Sequence, residues 1–129
     1  MQIFEKTITV VQEDLDQLNH VNNVRYVQWV QDMAEAHWLQ NATSSILDQY
    51  FWVLVNHTID YKSQAVLGDV IRLKTYLSKS EGFFSLRQVE IYNTSNDKLI
   101  VKSQTKWCLM SMATKRPARI PEEINTLFD

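Results

Sequence analysis

The sequence predicts an α+β domain in which an antiparallel sheet packs against one long helix. Three observations lead there: a β-branched period-two stretch near the start, one stretch of helical period from Asn23 to Asn41, and four later strand-like stretches joined by short turns. Ile3 to Val11 alternates Phe4, Lys6, Ile8 and Val10 and predicts the first strand. Glu13 to Asn23 is dense in Asp and Asn, whose side chains bond to nearby backbone, and predicts a loop ending in an Asn helix cap. From there Tyr26, Val30, Met33 and His37, with Val27, Ala34 and Trp38, recur at three- and four-residue steps and predict one buried helical face. Asn41 to Gln49 is a polar link. Phe51 to Lys62 alternates Val53, Val55, His57, Ile59 and Tyr61, Gly68-Asp69 turns the chain, and Val70 to Lys79 follows; this pair predicts a hairpin. Ser80-Glu81-Gly82 and Asn93 to Asp97 separate two more strands, Phe83 to Tyr92 and Leu99 to Met112. Lys115 to Pro121 is basic, and Pro121-Glu122-Glu123 opens a short terminal helix.

A chain of 129 residues with 45% hydrophobic residues has the size and apolar content of one domain over residues 1–129. Thirteen Lys and Arg against fifteen Asp and Glu leave a net charge of −2, without the basic field that phosphate backbones require, so nucleic acid is not an expected partner. Cys108 is the lone cysteine, which excludes an intrachain disulfide and suits a reducing compartment. The first residues lack the apolar stretch of a signal peptide, and the longest apolar run, Phe51 to Val55, is too short to span a bilayer; a cytoplasmic protein without membrane insertion is expected. With only Gly68 and Gly82, the chain has no dinucleotide fingerprint, P-loop or nucleophile elbow. Any catalysis must rest on side chains and helix-end amides.

Those requirements converge on one segment, Asp14 to Asn23. A carboxylate and an imidazole four residues apart, Asp16 and His20, can share one face of a turn, where Asp16 would orient or charge-pair with His20. Amides of the first helical turn lack intrahelical partners and sit at the positive end of the dipole, so they can stabilise an oxyanion beside that carboxylate. The same residues also suit plain helix capping, and on composition alone both readings stand. A calcium loop is excluded because Leu18 stands where the third oxygen ligand belongs and no glycine follows.

The pattern Asp14-x-Asp16-x-x-x-His20-Val21-Asn22-Asn23-x-x-Tyr26-x-x-Trp29 resembles the active-site segment of hot-dog-fold thioesterases, the group of 4-hydroxybenzoyl-coenzyme A thioesterase and the acyl-acyl-carrier-protein (acyl-ACP) thioesterases. The similarity continues in Ile59-Asp60-Tyr61-Lys62, Leu67-Gly68-Asp69-Val70 and Arg116 to Pro121. The resemblance implies a hot-dog fold, an antiparallel sheet wrapped around one long helix, and an acyl thioesterase using coenzyme A or acyl-ACP thioesters as substrate, with no further cofactor and no metal. It makes Asp16 the catalytic carboxylate, acting as general base or nucleophile. It sets the amide near Asn23 on the thioester oxygen, adds His20 to the catalytic group, and gives Asn19 and Asn22 to substrate binding; Tyr26, three residues past Asn23 in the first helical turn, is placed to bind substrate by walling the acyl channel. It also implies a homodimer or homotetramer. The chain departs in one place: Leu18 stands two residues after Asp16, where the acyl-carrier-protein branch has an Asn. That departure keeps a rival open, a non-catalytic acyl-binding or assembly module of the same fold; a dehydratase on this fold ranks last.

Other chemistry-bearing residues read as structural. His37 on the helix and His57 in a strand are expected as hydrogen-bonded core or interface residues, Cys108 as a buried inert thiol, and Trp29, Trp38, Phe51 and Trp52 as core. Lys115, Arg116 and Arg119 form a solvated basic stretch or a contact for coenzyme A phosphates.

Overall fold

The computed structural model describes residues 1–129. Five strands, β1 (Phe4–Thr9), β2 (Tyr50–Tyr61), β3 (Val70–Glu81), β4 (Phe84–Asn93) and β5 (Leu99–Ser111), form one antiparallel sheet in the order β1-β3-β4-β5-β2. Helix α1 (Asn23–Asn41) packs on its inner face; α2 (Ser44–Gln49) and α3 (Glu122–Asn125) are short. This is the predicted sheet-on-helix class.

Alternation selects the buried face. In β3 and β4, Ile71, Leu73, Val89 and Ile91 point inward and are 0–2% exposed, while Arg72, Lys74, Gln88 and Glu90 stand on the other side. Helix α1 answers with Tyr26, Trp29, Val30, Met33, Ala34 and His37, one stripe at three- and four-residue spacing. Each large apolar side chain buried this way contributes about 1.5–3 kcal/mol. A second, smaller cluster of Ile46, Leu109 and Ile124 lies toward the end of α1 with Trp38 and Trp52 half-buried around it. Between the clusters the inner face turns polar with Thr75, Arg87, Ser103 and Thr105, all buried.

Asn22 is the N-cap, with extended backbone and its Oδ1 accepting from the Val24 amide at 3.0 Å. At the other end Ala42 leaves helical geometry, and Thr43 caps α2 through its Oγ1 on the Ile46 amide. Substituting Asn22→Ala is expected to lower stability by about 1 kcal/mol with Asn22→Ser close to wild type, the usual range for such caps; equal thermal midpoints for all three would remove the cap from the account.

Two expectations are corrected. The polar link at Asn41–Gln49 contains α2. The predicted hairpin of Phe51–Lys62 with Val70–Lys79 does not form: β2 pairs with β5, whereas β3 lies between β1 and β4. The intervening segment is not a free turn. Ala65 O accepts from the Val21 amide at 3.0 Å and Val66 bridges to His20, so this connection is tied to the pre-helix loop as it crosses to the far half of the sheet. No helix is long and apolar enough to cross a membrane.

Candidate active site

The segment before α1 is held by its own carboxylates. Asp14 is buried and both its oxygens are committed: Oδ2 accepts from the Val11 amide at 2.9 Å, and Oδ1 pairs with Arg25 Nε at 3.1 Å. Asp16, two residues on, uses only one. Its Oδ1 accepts from the amides of Leu18 (2.9 Å) and His20 (3.2 Å), while Oδ2 makes no hydrogen bond within the chain. The backbone closes the same turn, with Asp16 N donating to His20 O at 2.8 Å and Asn19 N to Asp16 O at 3.1 Å. Asn19 takes φ +63°, a left-handed conformation in which Asn is several-fold enriched among non-glycine residues.

This geometry corrects the expected Asp16–His20 side-chain pair. Asp16 binds the backbone of His20, and the imidazole lies beyond ion-pair distance and carries no hydrogen bond. The i,i+4 relation assumed a helical turn, but the chain here is a tight loop closed by bridges Leu15–Val21 and His20–Val66. The helix start lies just beyond. The Val24 amide is taken by Asn22 Oδ1 and the Arg25 amide by Asn22 O, leaving the Asn23 amide without an acceptor in the chain. The Asn22 side-chain oxygen is thus engaged in capping, and Asn19 stays exposed on the loop.

Tyr26 is 2% exposed and stands edge-on to Trp29 in the main core. Its hydroxyl accepts from the Ala65 amide at 3.2 Å. Burial first, and then the negative charges of Asp69 and Asp16, push its phenol above the usual range.

The main cleft lies elsewhere. A cavity of about 400 Å³ opens beside the second half of α1, walled by Ala34, Trp38, Trp52, Leu77, Trp107 and Phe128, with Ser85 and Arg87 at the sheet. Tyr26 is not part of its wall, so this cleft is not the Tyr26-lined channel that was expected. Trp38, Phe51 and Trp52, expected as core, are half-buried walls of the cleft. Sequence reading missed Arg87 altogether, although its parity with Ser85, Val89 and Ile91 puts it on the inward face of β4.

His37 and His57 are hydrogen-bonded as expected. His37 is fully buried with Nδ1 2.8 Å from Arg87 Nη1 and Nε2 2.6 Å from Gln2 Oε1. Since a guanidinium can only donate, Nδ1 accepts and Nε2 carries the proton. Burial, aided by the Arg87 charge, lowers the His37 pKa to about 4. His57 Nε2 lies 2.8 Å from Ser103 Oγ, and burial lowers its pKa as well. Cys108 is buried. Lys115 and Arg119 are exposed, their charges over the rings of Phe51 and Phe83. No cluster of three His, Cys, Asp or Glu side chains is available to hold a metal ion.

The family model of the acyl-ACP thioesterase N-terminal domain matches residues 1–128. The chain belongs to that family. In structure, this acyl-ACP thioesterase-family domain is similar to a 1,4-dihydroxy-2-naphthoyl-CoA thioesterase from Synechocystis (TM-score 0.84, 18% identity, 98% of this chain and 95% of that one). It is similar to a 4-hydroxybenzoyl-CoA thioesterase mutant complexed with 4-hydroxybenzoyl-CoA (TM-score 0.89, 10% identity, all of both chains). It also resembles the 12:0-ACP thioesterase from Umbellularia californica (TM-score 0.85, 14% identity), covering 98% of this chain and 51% of that one. No curated protein matches by sequence. At such identities the likeness establishes the fold, and the domain has the hot-dog fold of these thioesterases.

Proposed function

We propose that this domain hydrolyses acyl thioesters of coenzyme A or acyl-ACP to free acid and thiol, with Asp16 as the reacting carboxylate and the Asn23 amide as oxyanion donor. The observation that carries this reading is the division of labour within one loop: Asp14 is fully occupied by Val11 and Arg25, Asp16 keeps Oδ2 free, and the one uncapped amide of the helix start follows seven residues later. The thioester carbonyl oxygen accepts from the Asn23 amide, where the helix dipole favours developing negative charge. Asp16 Oδ2 then takes a proton from attacking water, or attacks the carbonyl carbon itself to give a mixed anhydride. The C–S bond breaks as the carbonyl re-forms and the thiolate leaves to be protonated; on the second route water then cleaves the mixed anhydride, releasing the free acid and restoring the Asp16 carboxylate. Family membership and the thioesterases named above support the reaction class.

Purified protein incubated with acetyl- to palmitoyl-CoA and benzoyl-CoA, with a thiol reagent reporting release, tests the reading. Release with at least one substrate supports it, and binding without release points to the non-catalytic module. A specific feature speaks for that second reading, namely that Asp16 Oδ1 already closes the loop, a structural task sufficient to explain its presence.

His20 belongs to the proposal as a proton carrier. Its backbone holds the loop while its ring is unengaged. His20→Ala should thus leave the fold intact and lower the turnover number by about 100-fold, a common general-acid–base contribution; an unchanged turnover number would leave His20 with its backbone role alone. We further propose a homodimer or homotetramer acting in the cytoplasm. The outer edge of β2 is unpaired and carries exposed Val53 and Val55, a template for a second copy.

A further inference from the structure

Arg87 is the only buried guanidinium of the inner sheet face, and it has no acid. It is 5% exposed, yet no carboxylate lies within 4.0 Å of it. Nη1 donates to His37 Nδ1 at 2.8 Å and Thr75 Oγ1 at 3.0 Å, both neutral, and the Phe128 ring centroid is 5.7 Å from its Cζ. Burial without a compensating charge brings its pKa down to about 10. Nε and Nη2 make no hydrogen bond within the chain; the one polar side-chain atom both sealed off and unpartnered is Arg72 Nε. Arg87 lines the 400 Å³ cleft, and the unused half of its guanidinium is not sealed off by the surrounding chain. Buried charges are normally paired, because an uncompensated one retains most of its desolvation penalty. The rest of the wall is mostly aliphatic and aromatic, and Glu35 at the mouth is exposed and unpaired with Arg87.

We propose that the cleft binds a single-chain carboxylic acid, its carboxylate docked on the free edge of Arg87 and its hydrocarbon chain lying among Trp38, Trp52 and Trp107. A planar guanidinium presents parallel N–H donors matched to two carboxylate oxygens, and in an apolar cleft this pairing discriminates strongly against a neutral head group. Such an acid belongs to the same chemical class as the product of the hydrolysis proposed above, but binding here does not depend on turnover. The alternative source of the carboxylate is the far end of a diacid-derived acyl thioester.

Three of the four tryptophans line the cleft, so intrinsic fluorescence reports occupancy. Wild-type protein titrated below micellar concentration is expected to show saturable binding of dodecanoate, at least about tenfold weaker binding of dodecan-1-ol, and about a three- to fourfold affinity gain per added methylene from octanoate upward. Arg87→Met, checked for folding by circular dichroism, should bind the acid and the alcohol alike. Equal affinity for acid and alcohol in the wild type, no binding of either, or undiminished dodecanoate binding by Arg87→Met would each overturn the proposal; the wild-type comparison decides alone if the variant does not fold. Asp16→Asn should bind dodecanoate as wild type does, which separates this site from the hydrolytic one. Tighter binding of dodecanedioyl-CoA than of dodecanoate would move the carboxylate from a free acid to a substrate's far end and overturn the assignment.

Discussion

Asp16→Asn is expected to remove nearly all thioester hydrolysis while leaving the fold as it is. The two oxygens of Asp16 do different jobs. Oδ1 accepts from the amides of Leu18 and His20, and an Asn side-chain oxygen accepts those same bonds in the same place. Oδ2 has no partner in the chain, and there the substitution puts an NH₂ group that neither takes a proton from water nor attacks a carbonyl carbon. The expected loss is about 10²–10⁴-fold in turnover number, roughly 3–5 kcal/mol of transition-state stabilisation. Stability should fall by no more than about 1 kcal/mol, since only the charge assistance to two hydrogen bonds is lost. Steady-state kinetics and thermal unfolding on the same preparation separate the two effects. Comparable turnover in Asp16→Asn would withdraw the catalytic assignment and leave the carboxylate as a loop clasp. Asp14→Asn should behave oppositely, because Asp14 loses the Arg25 ion pair from a buried position and the helix entry loosens.

The elements were legible in the sequence because their signals are local, whereas the pairings were not. Alternation in β3 and β4 and the stripe from Tyr26 to His37 marked strands, helix and buried faces, and the Asn22-Asn23 pair marked a cap without saying which of the two it is. The error over β2 and β3 has a plain origin. Gly68-Asp69 is a true turn signal, with Gly68 at φ +85°, but a turn does not say which strand it delivers the chain to. That was decided by contacts of Ala65 and Val66 with residues 20 and 21, more than forty positions away. Helix α2, six residues long, is too short to display a period. At the candidate site the residue types were readable and the geometry was not. A left-handed Asn19 and two bridges turn the Asp16–His20 spacing into a backbone contact. Arg87 shows the same limit: parity puts it on the inner face, but its partner His37 lies fifty residues earlier.

That pairing carries the second large expectation, a loss of stability on acidification that begins well above the carboxylate range. His37 is locked in its neutral form, Nδ1 accepting from Arg87 and Nε2–H donating to Gln2, and burial with the Arg87 charge lowers its pKa to about 4 from 6.5. Between those values the unfolded chain binds the proton and the folded one does not, so unfolding is increasingly favoured as pH falls. This contribution is intact above about pH 6.5 and is lost progressively down to about pH 4, a total of about 3 kcal/mol for one histidine shifted this far. His57, also lowered by burial, adds in the same direction, whereas Glu90, held below its usual range by the Tyr92 and Tyr76 hydroxyls against its own burial, matters only further down the acid limb. Urea unfolding at pH 7.5, 6.0 and 5.0 should therefore show falling stability in wild type and a much shallower slope in His37→Gln. His57→Gln should keep most of the wild-type slope. Protonating His37 would set an imidazolium against the Arg87 guanidinium 2.8 Å away, in a region with no acid to share the charge. The same acidic slope in His37→Gln as in wild type would show that the proton enters elsewhere.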